Sequence, residues 1–297
     1  RFENVKDNIH SYAISPTGKR ALFDARGDIF SVPAENGRTE NLTKTQGVRE
    51  IYPSWSPNGK YIAYYSDATG EYEIYLLENK KDAQAIQITS GSSAWKYDNE
   101  WSPDSKYLLY SDRTLQLKLL DVEEEKELIV TGASQSEIRD YSFSPDSKWV
   151  VYSKEASNGQ SAVWVYDINS KENYQLTGNT FNDYSPVFST DGDFIFFLSN
   201  RDFNLNFSSF EFNYLYDNAT RIYAMTLKND GPKLYKDKVD VEPVKEETTE
   251  KEEKENNNNN KEEEEFVVEI DVENITDRVV ALPPKSGSYR NLQAVEG

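Results

Sequence analysis

The stretch Ser144-Pro145-Asp146-Ser147-Lys148-Trp149-Val150-Val151-Tyr152 reads as a tight turn that runs directly into a strand. Pro145 sets its own φ, and Asp146 suits a turn because its short side chain bonds to nearby backbone. The β-branched and aromatic residues after Lys148 suit a pleated, packed surface. The same phrase stands at Ser15-Pro16-Thr17-Gly18-Lys19, Ser56-Pro57-Asn58-Gly59-Lys60 and Ser102-Pro103-Asp104-Ser105-Lys106, with a degraded copy at Ser189-Thr190-Asp191-Gly192-Asp193. Each copy leads into an apolar run, such as Ala21-Leu22-Phe23 or Phe194-Ile195-Phe196-Phe197. The leading serines are spaced by 41, 46, 42 and 45 residues. A strand-rich repeat of about 40–50 residues is the signature of propeller blades, each a small four-stranded antiparallel sheet. The chain is therefore expected to be all-β, with about five complete blades and parts of others.

Outward from the turn, the other offsets repeat as well. The residue before the serine is Ile14, Trp55, Trp101, Phe143 or Phe188, one large apolar side chain per repeat, suited to the space between blades. The fourth strand ends Leu42-Thr43, Ile88-Thr89, Val130-Thr131 and Leu176-Thr177. These offsets place blades at 10–47, 48–91, 92–133, 134–179 and 180–275, with a sixth beginning at 276–297, in one propeller region over 1–297. Residues 1–9 are expected to be a strand left over from an upstream blade, or the strand that closes the ring.

The fifth repeat departs from the pattern. An aromatic insertion, Phe203 to Thr220, separates its second and third strands, and it is expected either to pack over the blade or to form a lip for a partner. Residues 236–265 are Glu/Lys-rich with Asn256 to Asn260 in a row, and too polar to bury a core; a disordered acidic insertion is expected there. Phe266 to Asp271 is expected to supply the outer strand of the fifth blade, and Val279 to Pro284 with Tyr289 to Val295 to start the sixth.

Net charge is −19, and the eleven Glu and four Lys of 242–265 account for only part of it. An acidic surface argues against nucleic acid and against anionic membranes as partners. There is no cysteine, which excludes disulfide and thiolate chemistry. No apolar run reaches 18 residues, so no membrane-spanning helix is expected. The chain begins at Arg1, its only methionine is Met225, and it reads as a piece of something longer.

No catalytic, cofactor or metal residue stands out. His10, the only histidine, occupies an ordinary repeat position, and one histidine without cysteine makes no zinc site of the usual kind. A serine nucleophile needs a base within hydrogen-bond reach, and no Gly-x-Ser-x-Gly elbow or P-loop is present. Acidic groups such as Asp98/Glu100 and Glu123-Glu124-Glu125 lack distinguishing spacing and read as solvated turns and faces. No calcium-loop pattern appears.

The phrase Trp55 to Tyr64, with Ile74-Tyr75 and Ile88-Thr89, resembles repeats shared by Tol-type, prolyl-oligopeptidase-like and tricorn propellers. Three stretches favour the tricorn family. Arg1 to Asp7 with Lys19 to Phe30 resembles the start of its second, seven-bladed propeller. Asn200 to Asn204, Phe207-Ser208 and Arg221-Ile222-Tyr223 are similar to its fifth-blade insertion. Glu269-Ile270-Asp271, Asp277 to Val280 and Tyr289 to Leu292 are similar to the start of its next blade. The resemblance implies a fragment of a seven-bladed ring. It also implies a non-catalytic filter or channel for oligopeptides, working with PDZ-like and serine-peptidase domains elsewhere in the parent chain, in a homo-oligomer, in the cytoplasm. The alternatives are a Tol-type binding scaffold with no peptidase and, third, a prolyl-oligopeptidase-type enzyme; a removed leader would mean export.

Overall fold

The computed structural model describes residues 6–133, 135–202, 205–210, 212–216, 218–235 and 266–295. The acidic run 236–265 expected to be disordered lies outside the described residues. Five four-stranded antiparallel meanders follow one another along the chain. Sheet I holds β1 (Ile9–Ile14), β2 (Arg20–Ala25), β3 (Asp28–Pro33) and β4 (Glu40–Asn41). Sheet II holds β5 (Glu50–Trp55), β6 (Tyr61–Ser66), β7 (Glu73–Glu78) and β8 (Ile86–Gln87). Sheet III holds β9 (Lys96–Trp101), β10 (Tyr107–Asp112), β11 (Gln116–Asp121) and β12 (Lys126–Gly132). Sheet IV holds β13 (Tyr141–Phe143), β14 (Trp149–Glu155), β15 (Ser161–Asp167) and β16 (Glu172–Gln175). Sheet V begins with β17 (Asp183–Phe188) and β18 (Phe194–Ser199); the insertion forms a separate hairpin, β19 (Leu205–Ser208) and β20 (Asn213–Tyr216); β21 (Arg221–Thr226) and β22 (Val279–Ala281) complete the sheet. Among the described residues, helix is limited to short 3-10 turns, and no helix is long and apolar enough to cross a membrane.

The repeated serine holds each turn by three bonds. In the fourth repeat Ser144 N donates to Trp149 O, its carbonyl accepts from Ser147 N, and its hydroxyl oxygen accepts from Trp149 N, each at 2.9 Å. The hydroxyl in turn donates to Asp146. The same bond from the first strand residue back to the serine oxygen recurs at Arg20, Tyr61, Tyr107 and Phe194, at 2.9–3.0 Å. The turn requires a left-handed residue three places after the serine, and glycine fills that position in three repeats. Ser105 and Ser147 hold it at φ 65° and 61°. The repeated threonine also acquires a cause. Its oxygen accepts from the third strand at Ile29 N, Ile74 N and Val163 N, capping a strand start where the short fourth strand offers no carbonyl.

The core lies between sheets. Leu108 packs toward sheet II while its neighbour Leu109 packs toward sheet IV. Val150 and Val151 divide likewise between sheets III and V. Successive side chains point to opposite faces of a strand, and here both faces are buried, so the second strands are continuous apolar runs rather than alternating ones. The large residue before each turn plugs the preceding sheet: Trp55 against Leu22 and Ile29, Trp101 against Ile51 and Tyr65, Phe143 against Leu109 and Leu117, Phe188 against Val163 and Val165. Each plug contributes about 2–3 kcal/mol of apolar burial. Ile14, at the same repeat position in sheet I, is 65% exposed, because no described sheet precedes it.

Two expectations about the fifth repeat are corrected. Its outer strand is Val279–Ala281, paired with β21 through Tyr223↔Ala281 and Met225↔Val279, and not Phe266 to Asp271. The cause is Arg278, whose guanidinium donates to Thr226 O at 2.9 Å, Leu227 O at 3.1 Å and the carbonyl of Asp271. That grip turns the chain beneath the end of β21 and delivers Val279 to its edge. The segment 266–272 forms no strand; Val268 and Ile275 are buried in the core between sheets IV and V. The aromatic insertion does not pack over the blade: Phe210 and Phe212 are 92% and 78% exposed at the hairpin.

Candidate functional site

First strands are bonded directly from β9 to β5 and from β13 to β9, while Tyr52 of β5 reaches Asp24 of β2 and Ser185 of β17 reaches Asp140 just before β13; together they make an inner wall. The pairing of β1, β5, β9 and β17 with their second strands slips, between Ile9 and Tyr12, Ile51 and Ser54, Lys96 and Asn99, and Tyr184 and Val187. A bulge of this kind frees backbone donors and re-aims side chains. Tyr52 and Ser185, four residues before their serines, take φ of 52° and 51° there.

Buried or half-buried polar side chains collect the freed donors. Asp24, 1% exposed, accepts from His10 N and Ser11 N at 3.0 Å, from the Ser11 hydroxyl at 2.6 Å, and from Tyr52 N of the next sheet at 3.2 Å. Asn99 donates to Tyr52 O at 3.0 Å and accepts from the Ser54 hydroxyl. The Tyr141 hydroxyl donates to Asp98 O. Asp140 accepts from Ser185 N at 3.1 Å. The Glu100 carboxylate accepts from Phe143 N at 3.3 Å. Burial pushes Glu100 up to about 7, opposed by the hydrogen bond from the Phe143 amide, and burial also pushes the Tyr141 phenol up. The Arg139 guanidinium stacks 3.6 Å from the centre of the Tyr97 ring, with Glu137 3.8 Å away.

The sequence-named residues fall as follows. His10 is exposed at the start of β1. A serine, the histidine and an aspartate do meet there, but Asp24 grips the main chain of His10 and the Ser11 hydroxyl directly. The aspartate acts as a clamp on the wall, and the relay that activates a serine needs the imidazole between the two. Asp98 is exposed on β9, beside half-buried Glu100. Glu123 and Glu124 lie in an exposed turn whose amides are capped by Asp121. Among the described residues no three acidic or histidine side chains converge to hold a metal. Sequence reasoning did not single out Asp24, Asn99, Arg139 or Asp140. The available signal, which does not reach Asp24, was the polar residues three to five places before four of the five serines (His10-Ser11, Asp98-Asn99, Arg139-Asp140 and Ser185), where a plain strand facing a core would be apolar.

Comparison with known proteins places the chain. Residues 9–297 match the family model described as the tricorn protease second beta propeller domain. The chain is 28% identical over 282 residues to the tricorn protease of Thermoplasma volcanium, covering 83% of this chain and 26% of that protein. It is 23% identical over 285 residues to tricorn protease homolog 1 of Streptomyces coelicolor, covering 94% and 26%. The chain thus spans about a quarter of the length of these relatives. The crystal structure of the tricorn protease superposes with a TM-score of 0.76 over 95% of this chain and 26% of that one, at 15% identity. A TolB protein from Agrobacterium tumefaciens superposes at 0.50 over 73% and 76%, at 21% identity.

Proposed function

We propose, since the chain belongs to the family of second β-propellers of tricorn protease, that it is a non-catalytic wall and filter for oligopeptides on their way to a serine-peptidase site elsewhere in the parent protein. The observation that carries this reading is the inner wall itself. Its strands are tied edge to edge by Asp24, Asn99, Glu100 and Asp140. It presents Asp98 and Arg139 as exposed groups. A wall fixed by side chains in this way keeps its bore while a flexible peptide slides past, and loops on a rigid scaffold sort partners by contact. The exposed plug position of Ile14 fits further blades on that side, as in a larger ring. PDZ-like and catalytic domains of the same parent, and assembly of several copies, complete the proposal.

The test is hydrolysis by the full-length protein of a long oligopeptide and of a single-residue amide, with and without Arg139→Trp. Narrowing the wall should lower kcat/KM for the long substrate about threefold or more and leave the short one unchanged. Equal loss on both substrates, or none on either, overturns the filter. Inhibitor-sensitive cleavage by the isolated chain overturns its non-catalytic role.

A further inference from the structure

Each seam between successive sheets contains one equivalent site. It is formed by the first residue of the third strand and by the residue six places before the next turn serine: Asp28 with Glu50, Glu73 with Lys96, Gln116 with Ile138, and Ser161 with Asp183. In seam II/III the site is a buried ion pair. Lys96 and Glu73 side chains are 2% exposed and 3.8 Å apart. The ammonium donates to Tyr72 O and Ser92 Oγ, and Glu73 accepts from the Thr89 hydroxyl at 2.6 Å and Ser92 N at 2.7 Å. In seam III/IV the equivalent site, Gln116 with Ile138, is uncharged. In seam IV/V, Asp183 receives the Arg201 guanidinium at 2.8 Å.

Seam I/II has the same architecture with the cation replaced by an acid. Thr43 donates to Asp28 at 3.3 Å, as Thr89 does to Glu73. Glu50 N donates to Gly27 O at 2.8 Å, holding the residue at the site. Glu50 is 1% exposed. Its Oε1 accepts from the Thr45 hydroxyl at 2.7 Å, but its Oε2 is buried with no hydrogen-bond partner. Asp28 from β3 and Asp67 from the turn after β6 face it. Tyr64 on β6 and Tyr75 on β7 are the other titratable groups near it. Arg49, its neighbour on the chain, is exposed and directed to Tyr72. Among the described residues no cation pairs with Glu50.

We propose that Glu50 is a proton-operated latch: protonated, it closes the seam between sheets I and II, and ionised, it loosens that seam. A buried carboxylate with one unbonded oxygen and two acidic neighbours is costly, whereas the neutral acid is not. Burial raises Glu50 above its ordinary 4.5, the Thr45 and Thr43 hydroxyls oppose this, and Asp28 and Asp67 reinforce it. A group whose folded value is raised lends stability in full below its ordinary value and loses it as pH climbs through the folded value. The seam is therefore tightest in acid. The same strand carries Trp55, which plugs sheet I, and Tyr52, which is bonded to Asp24, so loosening at Glu50 reaches the inner wall.

The test is hydrogen exchange of the full-length protein at pH about 4 and about 8, corrected for intrinsic rates, read on β5 and on β21. Protection of β5 should fall about tenfold between the two pH values while β21, in sheet V, holds. Glu50→Gln should abolish the fall. Glu50→Lys should pair with Asp28 as Lys96 does with Glu73 and keep β5 protected at both pH values, so the proposal survives a Gln variant that fails to fold. An equal fall in the variants, or none in the unsubstituted protein, overturns the latch. So does restoration of protection at the higher pH by sodium or calcium, which would make the site a cation site instead.

Discussion

The turns of sheets II, III and IV are stapled in one way and those of IV and V in another. Asn58 N donates to the Ser105 hydroxyl and Asp104 N to the Ser147 hydroxyl, both at 3.0 Å, so the residue in the left-handed position of one turn reaches the preceding turn. At the next step that position is Gly192, which has no hydroxyl to offer. The segment that returns after the acidic run fills the place. Val268 N donates to the Asp146 carboxylate at 2.8 Å, and Val268 O accepts from the Trp149 indole at 3.0 Å. A Cβ on Gly192 would stand 2.7 Å from Val268 Cγ2 and 3.0 Å from Phe266. One repeat position serves as a hydroxyl that ties turn to turn at Ser105 and Ser147, as an empty space that admits a third segment at Gly192, and as an open turn at Gly59. At Gly192 the missing hydroxyl leaves the room in which Val268 and Phe266 dock.

Breaking the wedge should have the largest effect. Gly192→Ser installs the residue found at this position in sheets III and IV but puts a side chain into Val268 at φ +72°. It should destabilise by about 2–4 kcal/mol and shift Trp149 fluorescence as the indole loses its acceptor. A neutral outcome in denaturant titration would mean that 266–268 is not held there. The III/IV seam can be sharpened by pH instead. Glu100 is raised from 4.5 to about 7. Its contribution is therefore complete below 4.5 and lost as pH rises through about 7, on the order of 2 kcal/mol for a half-buried group. Glu100→Gln should flatten that part of the stability profile, and an unchanged profile would refute the assignment. The smallest effect belongs to the staples: Ser105→Ala and Ser147→Ala should each cost about 1 kcal/mol in thermal unfolding. Ser147→Gly should cost less, since glycine relieves the left-handed backbone while losing the same bond.

The contrast also separates what could be read early from what could not. The Ser-Pro-x-x-Lys turns, the strands after them and the capping threonines were legible because their hydrogen bonds close within 5 or about 15 residues of chain. The outer strand of sheet V was not. Phe266-Val267-Val268 and Val279-Val280-Ala281 are equally apolar, and the choice between them rests on the Arg278 grip on carbonyls more than 50 residues away. The inner wall was legible only as an oddity, polar residues where a strand should be apolar, because Asp24 meets Tyr52 and Asp140 meets Ser185 across sheets.

By itself the sequence determined the repeat, the all-β class, the place of each turn and the plug residues, since these follow from side-chain period and local bonding, which short segments carry wherever they sit. Only the tertiary structure decided what each seam contains. It set an ammonium beside Glu73 and a second acid beside Asp28, and it docked 266–268 over Gly192. Those outcomes depend on which distant groups share a buried, low-dielectric space, where one missing partner changes the energy of a charge more than any local preference does.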